Sequence, residues 1–503
     1  MFQLDDPSDI NRRGLLAALS VPTCAHQPIV NTALAMWQRT PAIAAALSEG
    51  GAAAGLLTKS TGALADPLLL RSLASGLVTD IATERLLTAL RRGLLLDAGG
   101  RLLEDKRLME LALALLQQGW LNEHVWEETP VETAALAAFA DQMEAKKDDL
   151  ERSRQLLLRT LYRPLADLNL DLAAAKRLKP RAFRDLVVAE VTVRDEEARH
   201  AADIPRFGQI ADPTSVRVAA QYEGNPYPRW QSLNVPVAGS LVRAIEGFAG
   251  ADVRARLSAP FDVLIAGCGT GQHAIRSALG YGAQARVTAI DLSRASLAYA
   301  RRMAARYVPD QISFRQGDIL EVSALGQTFD VIEAVGVLHH MEDPVAGLRT
   351  LHRCLSPGGL MHLGLYSTIA RTNIAVLRQD PDWPGPTAND SNARSYRARL
   401  SRCRRPESGT DILTSEDFYA VSSFRDLVLH AREHTFRAEE IGRLLAELGL
   451  AFQGVTVAPT VRAAFSQRFP AAGWPGTLDD WAAFEEENPR TFDGMFTFWC
   501  RKT

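Results

Sequence analysis

FDVLIAGCGTGQHAIRSAL, Phe261 to Leu279, decides the reading of this chain. Val263-Leu264-Ile265-Ala266 is a short, apolar, partly β-branched run of the kind that forms a buried parallel strand. Gly267, Gly269 and Gly271 follow at alternate positions, and His273 to Leu279 reads as the start of a helix. Strand, glycine turn and helix in that order bring bare backbone N–H groups and a helix N-terminus up to a ligand. Side chains at the three glycines would hold that ligand off.

A glycine motif alone is weak, because turns also collect glycine. The support lies downstream. Arg286-Val287-Thr288-Ala289-Ile290-Asp291 reads as a second strand ending in an acid, about twenty residues past the loop, where a carboxylate can accept from both hydroxyls of a ribose. Ile312 to Asp318 is a third strand ending in Gly317-Asp318, and Phe329 to Val335 a fourth, followed by Gly336-Val337-Leu338-His339-His340. Leu355-Ser356-Pro357-Gly358-Gly359-Leu360 turns into a fifth, Met361 to Tyr366.

From Phe261 to Tyr366 the chain resembles the class I S-adenosylmethionine-dependent methyltransferases, with several motifs in the family's order. The resemblance implies an α/β doubly wound, seven-stranded Rossmann-like core with S-adenosyl-L-methionine as cofactor. It implies that Gly267, Cys268, Gly269 and Gly271 cradle the methionyl part, that Asp291 holds the ribose and that Asp318 faces the adenine amino group. It also puts Leu292, Ile319 and Val335 against the cofactor. Val335, Gly336, His339 and His340 would flank the methyl group. One departure stands out: the family often has an acid two residues before the first glycine, and here Ile265 occupies that place. The competing reading is a nicotinamide-dependent dehydrogenase. Its fingerprint ends in a glycine where this chain has Gln272, and it gives Gly317-Asp318 no role.

Composition sets the bounds. The 503 residues suggest two to four domains, and 47% hydrophobic with 23% charged residues is ordinary for a soluble protein. A formal net charge of −3 argues against bulk binding of nucleic acid. Cys24, Cys268, Cys354, Cys403 and Cys500 are scattered, with no Cys-x-x-Cys, which reads as reduced cytoplasmic thiols. Met1 to Arg13 has no apolar run of a secretory signal, and no segment is long and apolar enough to span a bilayer.

From Asn31 to Leu170 the pattern is helical almost throughout, as in Ile81 to Leu90, Leu108 to Leu116 and Val131 to Met143. Residues 1–175 therefore read as an all-helical domain that covers or dimerises the rest, or docks a macromolecular substrate. Glu144 to Arg159 is charge-rich and reads as a solvated helix, and Glu196 to Asp212 as irregular linker. Within a linker expected over residues 176–234 lies Gln221-Tyr222-Glu223-Gly224-Asn225-Pro226-Tyr227-Pro228-Arg229-Trp230, read as rigid and non-helical. It resembles a signature that precedes the core in a group of uncharacterised bacterial methyltransferases, often attached to tetratricopeptide repeats, which are absent or degenerate here. Tyr222 and Arg229 are candidates for the methionyl carboxylate, since an arginine fork matches a carboxylate; the bland alternative is a plug for a hydrophobic core.

The methyltransferase domain is expected over residues 235–503, with an insert over 367–435 that reads as a lid. The insert carries Arg394, Arg397, Arg399, Arg402, Arg404 and Arg405, either a solvated helix face or a contact for an acidic substrate. His339 and His340, and near the insert's end Glu433 and His434 beside His430, are the catalytic candidates, histidine because its pKa lies near neutrality. No distinctive ligand spacing occurs, so no metal is expected. The sequence thus points to a methyltransferase that modifies a protein side chain, lysine being one candidate. A small-molecule acceptor, or a helical interaction protein with an inactive cofactor domain, are the alternatives. Nucleic acid and membrane are not expected partners; a homodimer through the helical domain is.

Overall fold

A computed structural model describes residues 9–50, 53–97, 100–143, 149–168, 170–402 and 412–503. The chain forms two compact units. One comprises Met1–Glu196, Arg229–Asn234 and Thr387–Leu429; the other comprises Glu197–Pro228, Val235–Pro386 and His430–Thr503. These bounds differ from those expected. The helical unit runs past residue 175 and takes in most of the 367–435 insert, and the 176–234 stretch is shared out between the two units.

The second unit is built on one seven-stranded sheet in the order β3-β2-β1-β4-β5-β7-β6. The strands are β1 (Phe261–Ala266), β2 (Ala285–Asp291), β3 (Ile312–Gln316), β4 (Phe329–Val335), β5 (Leu355–Leu365), β6 (Leu450–Val455) and β7 (Phe496–Lys502). The first five pair in parallel, and β7 runs antiparallel between β5 and β6. Their runs are nearly all apolar because both sheet faces are covered: every residue of β1 but Asp262 is buried. Helices Gln272–Tyr281, Arg294–Tyr307 and Pro344–Cys354 make the crossovers β1 to β2, β2 to β3 and β4 to β5. Ser293 accepts from the Ser296 N–H ahead of the second, and Asp343 from the N–H groups of Val345 and Ala346 ahead of the third. The strand order reverses between β1 and β4, so a crevice at their carboxyl ends is the expected ligand site.

Two stretches expected to be irregular are not. Helix Arg181–Asp203 runs through Glu196, and the Phe207 N–H then donates to the Gln316 carbonyl at 3.0 Å, extending the sheet beyond β3. Gln221 to Gly224 form the last turn of helix Pro213–Gly224, so the aromatic segment is non-helical only from Asn225.

The helical unit has its own core, in which Leu86, Leu87, Leu90 and Leu94 of helix Ile81–Leu95 meet Leu111 and Leu115 of helix Lys106–Leu121. Helix Asp149–Thr160, expected to be solvated, buries Leu156, Leu157 and Leu158 in that core. Three of the insert's arginines pair within the helical unit. Arg397 is 1% exposed and grips Glu84 through two hydrogen bonds of 2.8 and 2.6 Å. Arg394 donates to the Glu123 carbonyl, and Arg402 pairs with Glu127. Arg404, Arg405 and Cys403 lie outside the described residues. Glu123 and His124 both take left-handed backbone angles, φ 57° and 55°, at the end of a helix. The His124 ring is buried, and burial, followed by the charge of Arg394, pushes its pKa down to about 3.

Candidate active site at the carboxyl ends of the central strands

The glycine loop is held open from two sides. Gly269 has φ +51°, and a methyl carbon added there would lie 2.7 Å from the Tyr227 carbonyl oxygen. The need for glycine therefore comes from this chain's own backbone as well as from a ligand. The Gly269 N–H donates to Asp291 Oδ2 at 2.8 Å and the Ser293 N–H to Oδ1 at 2.9 Å, which locks the acid at the end of β2 against the loop. Burial pushes the Asp291 carboxyl above its usual range against the pull of those N–H groups. Asp318, 3% exposed, accepts from the Leu320 N–H through Oδ1, while Oδ2 takes no hydrogen bond from the described residues. Ile319 is buried next to it, and the Leu292 carbonyl accepts from the Gln316 side chain. Cys268 is buried, and burial raises its thiol pKa well above the usual value.

Part of the aromatic segment lies over this loop. The Thr270 N–H reaches the Tyr227 carbonyl at 3.4 Å, and the Thr270 hydroxyl donates to the Pro228 carbonyl. One turn earlier, Glu223 accepts from the Ser293 hydroxyl at 3.0 Å and the Ala295 N–H at 3.2 Å, at the start of the helix that follows Asp291. The expectation for Arg229 is corrected. It belongs to the helical unit, where its Nε lies 3.1 Å from Glu123 Oε1, and Trp230 beside it is buried. The segment is thus loop cover up to Pro228 and core plug after it.

Beyond β4, His339 and His340 sit on a tight turn, Leu338–His340, and both are buried. The His339 ring stacks on Tyr366 at 3.9 Å and meets His340 edge-on at 4.2 Å. His340 stacks on His430 at 3.5 Å. The His340 Nδ1 reaches the Arg432 carbonyl at 2.8 Å, so it carries the proton and its Nε2 is an acceptor. The His430 Nδ1 lies 2.6 Å from the same carbonyl and 3.1 Å from the Arg432 N–H. The His430 Nε2 lies 3.1 Å from the Tyr222 hydroxyl. Burial pushes all three imidazoles well below their usual pKa, with Arg371, His339 and His340 respectively as the next cause.

Glu433, a catalytic candidate in the sequence, is engaged by two arginines. It is 5% exposed and held by Arg371 at 3.1 and 2.6 Å and by Arg378 at 3.1 Å, while the Arg371 guanidinium lies 3.9 Å over the Tyr366 ring. The His434 side chain turns to Arg432 Nε at 3.3 Å, and its backbone N–H donates to the His339 carbonyl. His430, Glu433 and His434 therefore point to different partners.

Sequence reasoning missed a second buried cluster. Glu333, in the middle of β4 and 1% exposed, accepts from His273 Nε2 at 2.7 Å, His362 Nδ1 at 3.0 Å and the Tyr281 hydroxyl at 2.8 Å. Burial raises its carboxyl pKa, but the two imidazoles outweigh that and the net shift is downward. The donor atoms of His273, Glu333 and His362 lie within 4.8 Å of one another, a two-histidine, one-carboxylate set that could also hold a metal ion. The signal was present: an ionisable residue inside an apolar strand, and a histidine in the first turn after the glycine loop.

Residues 263–359 match the family model described as a methyltransferase domain. This stretch is a methyltransferase domain. Its cofactor is S-adenosylmethionine. The residues fit that group: a glycine cradle before a helix N-terminus, a buried acid in Asp291 held against the loop, and an Oδ2 on Asp318 that takes no hydrogen bond from the described residues. Over 260 residues the chain is 31% identical to an uncharacterised protein of Synechococcus sp., covering 49% of this chain and 61% of that protein. It is 36% identical over 99 residues to the 27-O-demethylrifamycin SV methyltransferase of Amycolatopsis mediterranei, covering 20% of this chain and 36% of that enzyme. The chain thus spans less than two thirds of these curated relatives. Among solved structures, PKMT2 from Rickettsia typhi in complex with AdoHcy aligns with a TM-score of 0.35 at 12% identity, covering 59% of this chain and 54% of that one. Among the described residues no helix is long and apolar enough to cross a membrane.

Proposed function

We propose that this chain transfers the methyl group of S-adenosylmethionine to a hydroxyl oxygen of a small organic molecule. The observation that carries the reading is the convergence of the glycine loop, Asp291 and a group of neutral imidazoles at the carboxyl ends of β1, β2 and β4. The loop's N–H groups, Asp291 and Asp318 would hold the cofactor. When bound, S-adenosylmethionine supplies a sulfonium methyl carbon that an oxygen can displace, leaving a neutral thioether. The chain's own residues position the acceptor and take its proton. His339 and His340, kept neutral by burial, offer a ring nitrogen to the acceptor hydroxyl. A cationic imidazole there would instead repel the sulfonium. Tyr222 fixes His430 behind them, and the Arg371–Glu433 pair holds Tyr366. Much of the rate in such a displacement comes from alignment and exclusion of water.

The relative that acts on demethylrifamycin supports the small-molecule acceptor. The second reading is a protein side chain, lysine first; its support is a helical unit with a core of its own, large enough to dock a macromolecule. Incubation with S-adenosylmethionine carrying a labelled methyl group and a lysate split into small-molecule, protein and RNA fractions tests both. Label in the small-molecule fraction supports the proposal, and label confined to protein overturns it in favour of the second reading. Cofactor binding without label in any fraction would make the domain inactive.

A further inference from the structure

The acid that the methyltransferase resemblance leads one to expect two residues before Gly267 is missing, because Ile265 stands there. Directly across the sheet, Ile265 of β1 pairs in register with Glu333 of β4. Neighbouring residues in register put their side chains on the same face of a sheet. A buried carboxylate thus stands one strand away from the vacant position, on the same side.

Glu333 does not stand alone. Its Oε2 accepts from His273 Nε2 at 2.7 Å and from His362 Nδ1 at 3.0 Å, and its Oε1 accepts from Tyr281 at 2.8 Å. Of these four residues only His273 is much exposed, its side chain at 35% against 1% for Glu333 and 11% for His362. His273 is the second residue of the helix that Gly271 caps, so it stands in the first turn beside the glycine loop. The carboxylate fixes its tautomer. An ionised carboxylate can only accept, so Nε2 of His273 donates to it, and in that tautomer Nδ1 is the ring's acceptor. An acceptor nitrogen backed by a buried negative charge suits a donor cation and disfavours a carboxylate.

We propose that His273, oriented by Glu333, receives the α-ammonium of the cofactor's methionyl end and so replaces the acid that Ile265 displaced. His273 is the binding residue, Glu333 the positioning residue, and Tyr281 and His362 hold Glu333 in place. The inference rests on the methyltransferase reading and names the residues that read one end of its cofactor.

The test compares three ligands by calorimetry on the full chain: S-adenosylhomocysteine, its deaminated analogue 5′-(3-carboxypropyl)thioadenosine, and 5′-methylthioadenosine, which lacks the amino-acid arm. Wild type should prefer S-adenosylhomocysteine over the deaminated analogue. In His273→Phe that preference should vanish: affinity for S-adenosylhomocysteine falls about tenfold, the size of one hydrogen bond to a charged group, while the other two ligands bind as before. Glu333→Gln should fall in the same ligand-selective way by a smaller factor. Should it fail to fold, His273→Phe, at a partly exposed helix start, still decides. Equal loss for all three ligands, or no loss for any, overturns the proposal. A wild-type chain that binds none of the three removes the methyltransferase reading first, and this inference with it.

Discussion

The Tyr222 hydroxyl lies 3.1 Å from Nε2 of His430, a contact between residues 208 apart in sequence. It ties the helix that leads into the loop-covering segment to the imidazole stack at the end of β4. Tyr222→Phe removes only the hydroxyl, which costs about 1 kcal/mol of a net hydrogen bond. We expect turnover to fall by roughly tenfold through a misplaced His430, with S-adenosylhomocysteine affinity within about twofold of wild type. Steady-state kinetics beside calorimetry separates the two; an unchanged kcat would refute the role given to the pair.

Arg229→Ala should behave differently. Its partner is Glu123 at 3.1 Å, and its side chain is 37% exposed, so the pair is worth only about 0.5–1 kcal/mol after screening. The melting temperature should drop by about 1–3 °C while cofactor affinity stays put. Lost affinity with an unchanged melting temperature would return Arg229 to the cofactor.

Asp291→Ala should weaken S-adenosylmethionine binding by about 1.5–3 kcal/mol, since a charge-assisted contact to two hydroxyls is lost. Asp318→Ala should cost less, because its open Oδ2 faces one neutral donor. NAD should not bind the wild type. Titrations of both variants that overlay the wild-type curve would remove the ribose and adenine assignments.

The sequence made the sheet and the loop readable because both are local. β-branched runs end in Gly267, Asp291, Asp318 and Gly336, and each end is a turn that a single residue type enforces. Helix Arg181–Asp203 was hidden for a physical reason. Pro180 reads as a break, yet a proline just ahead of a helix costs nothing, because the first N–H groups have no partner within the helix. The fate of the insert was hidden more deeply: Arg397 reaches Glu84 across 313 residues, and no periodicity reports such a contact. In the site, His339 and His340 are legible by position after β4, whereas the capture of Glu433 by Arg371 and Arg378 depends on a turn of chain more than fifty residues away.

His124 gives the helical unit a pH dependence whose sign is fixed. In the unfolded chain the ring titrates near its usual 6.5, while in the folded unit it is held down to about 3. The unfolded state therefore binds the extra proton first, so the stability from this residue is complete above pH 6.5 and is lost as pH falls towards 3. The slope is about 1.4 kcal/mol per pH unit for one group. His124→Asn keeps a residue tolerant of the left-handed backbone and should flatten the acid limb between pH 6.5 and 5. Urea melts at several pH values measure the slope; parallel curves for variant and wild type would show that His124 does not set it.

Gly269→Ala should be costly twice over. The left-handed backbone charges a side chain about 1–2 kcal/mol, and the added carbon meets the Tyr227 carbonyl at 2.7 Å. We expect a lower melting temperature, lost cofactor binding and faster tryptic cleavage at Arg229 as the covering segment lifts. Wild-type cleavage kinetics would show that the segment does not depend on the glycine.

The Arg397–Glu84 fork also sets a timetable for synthesis. Glu84 leaves the ribosome more than three hundred residues before its partner, so a carboxylate destined for a dry interior must wait in water. At about 5–20 residues per second, the interval between the two is on the order of 15 to 60 seconds. During that time the helices that precede the sheet have their leucines but not the segment that closes over them. Cutting the gene after Glu196 would separate Glu84 from Arg397 permanently.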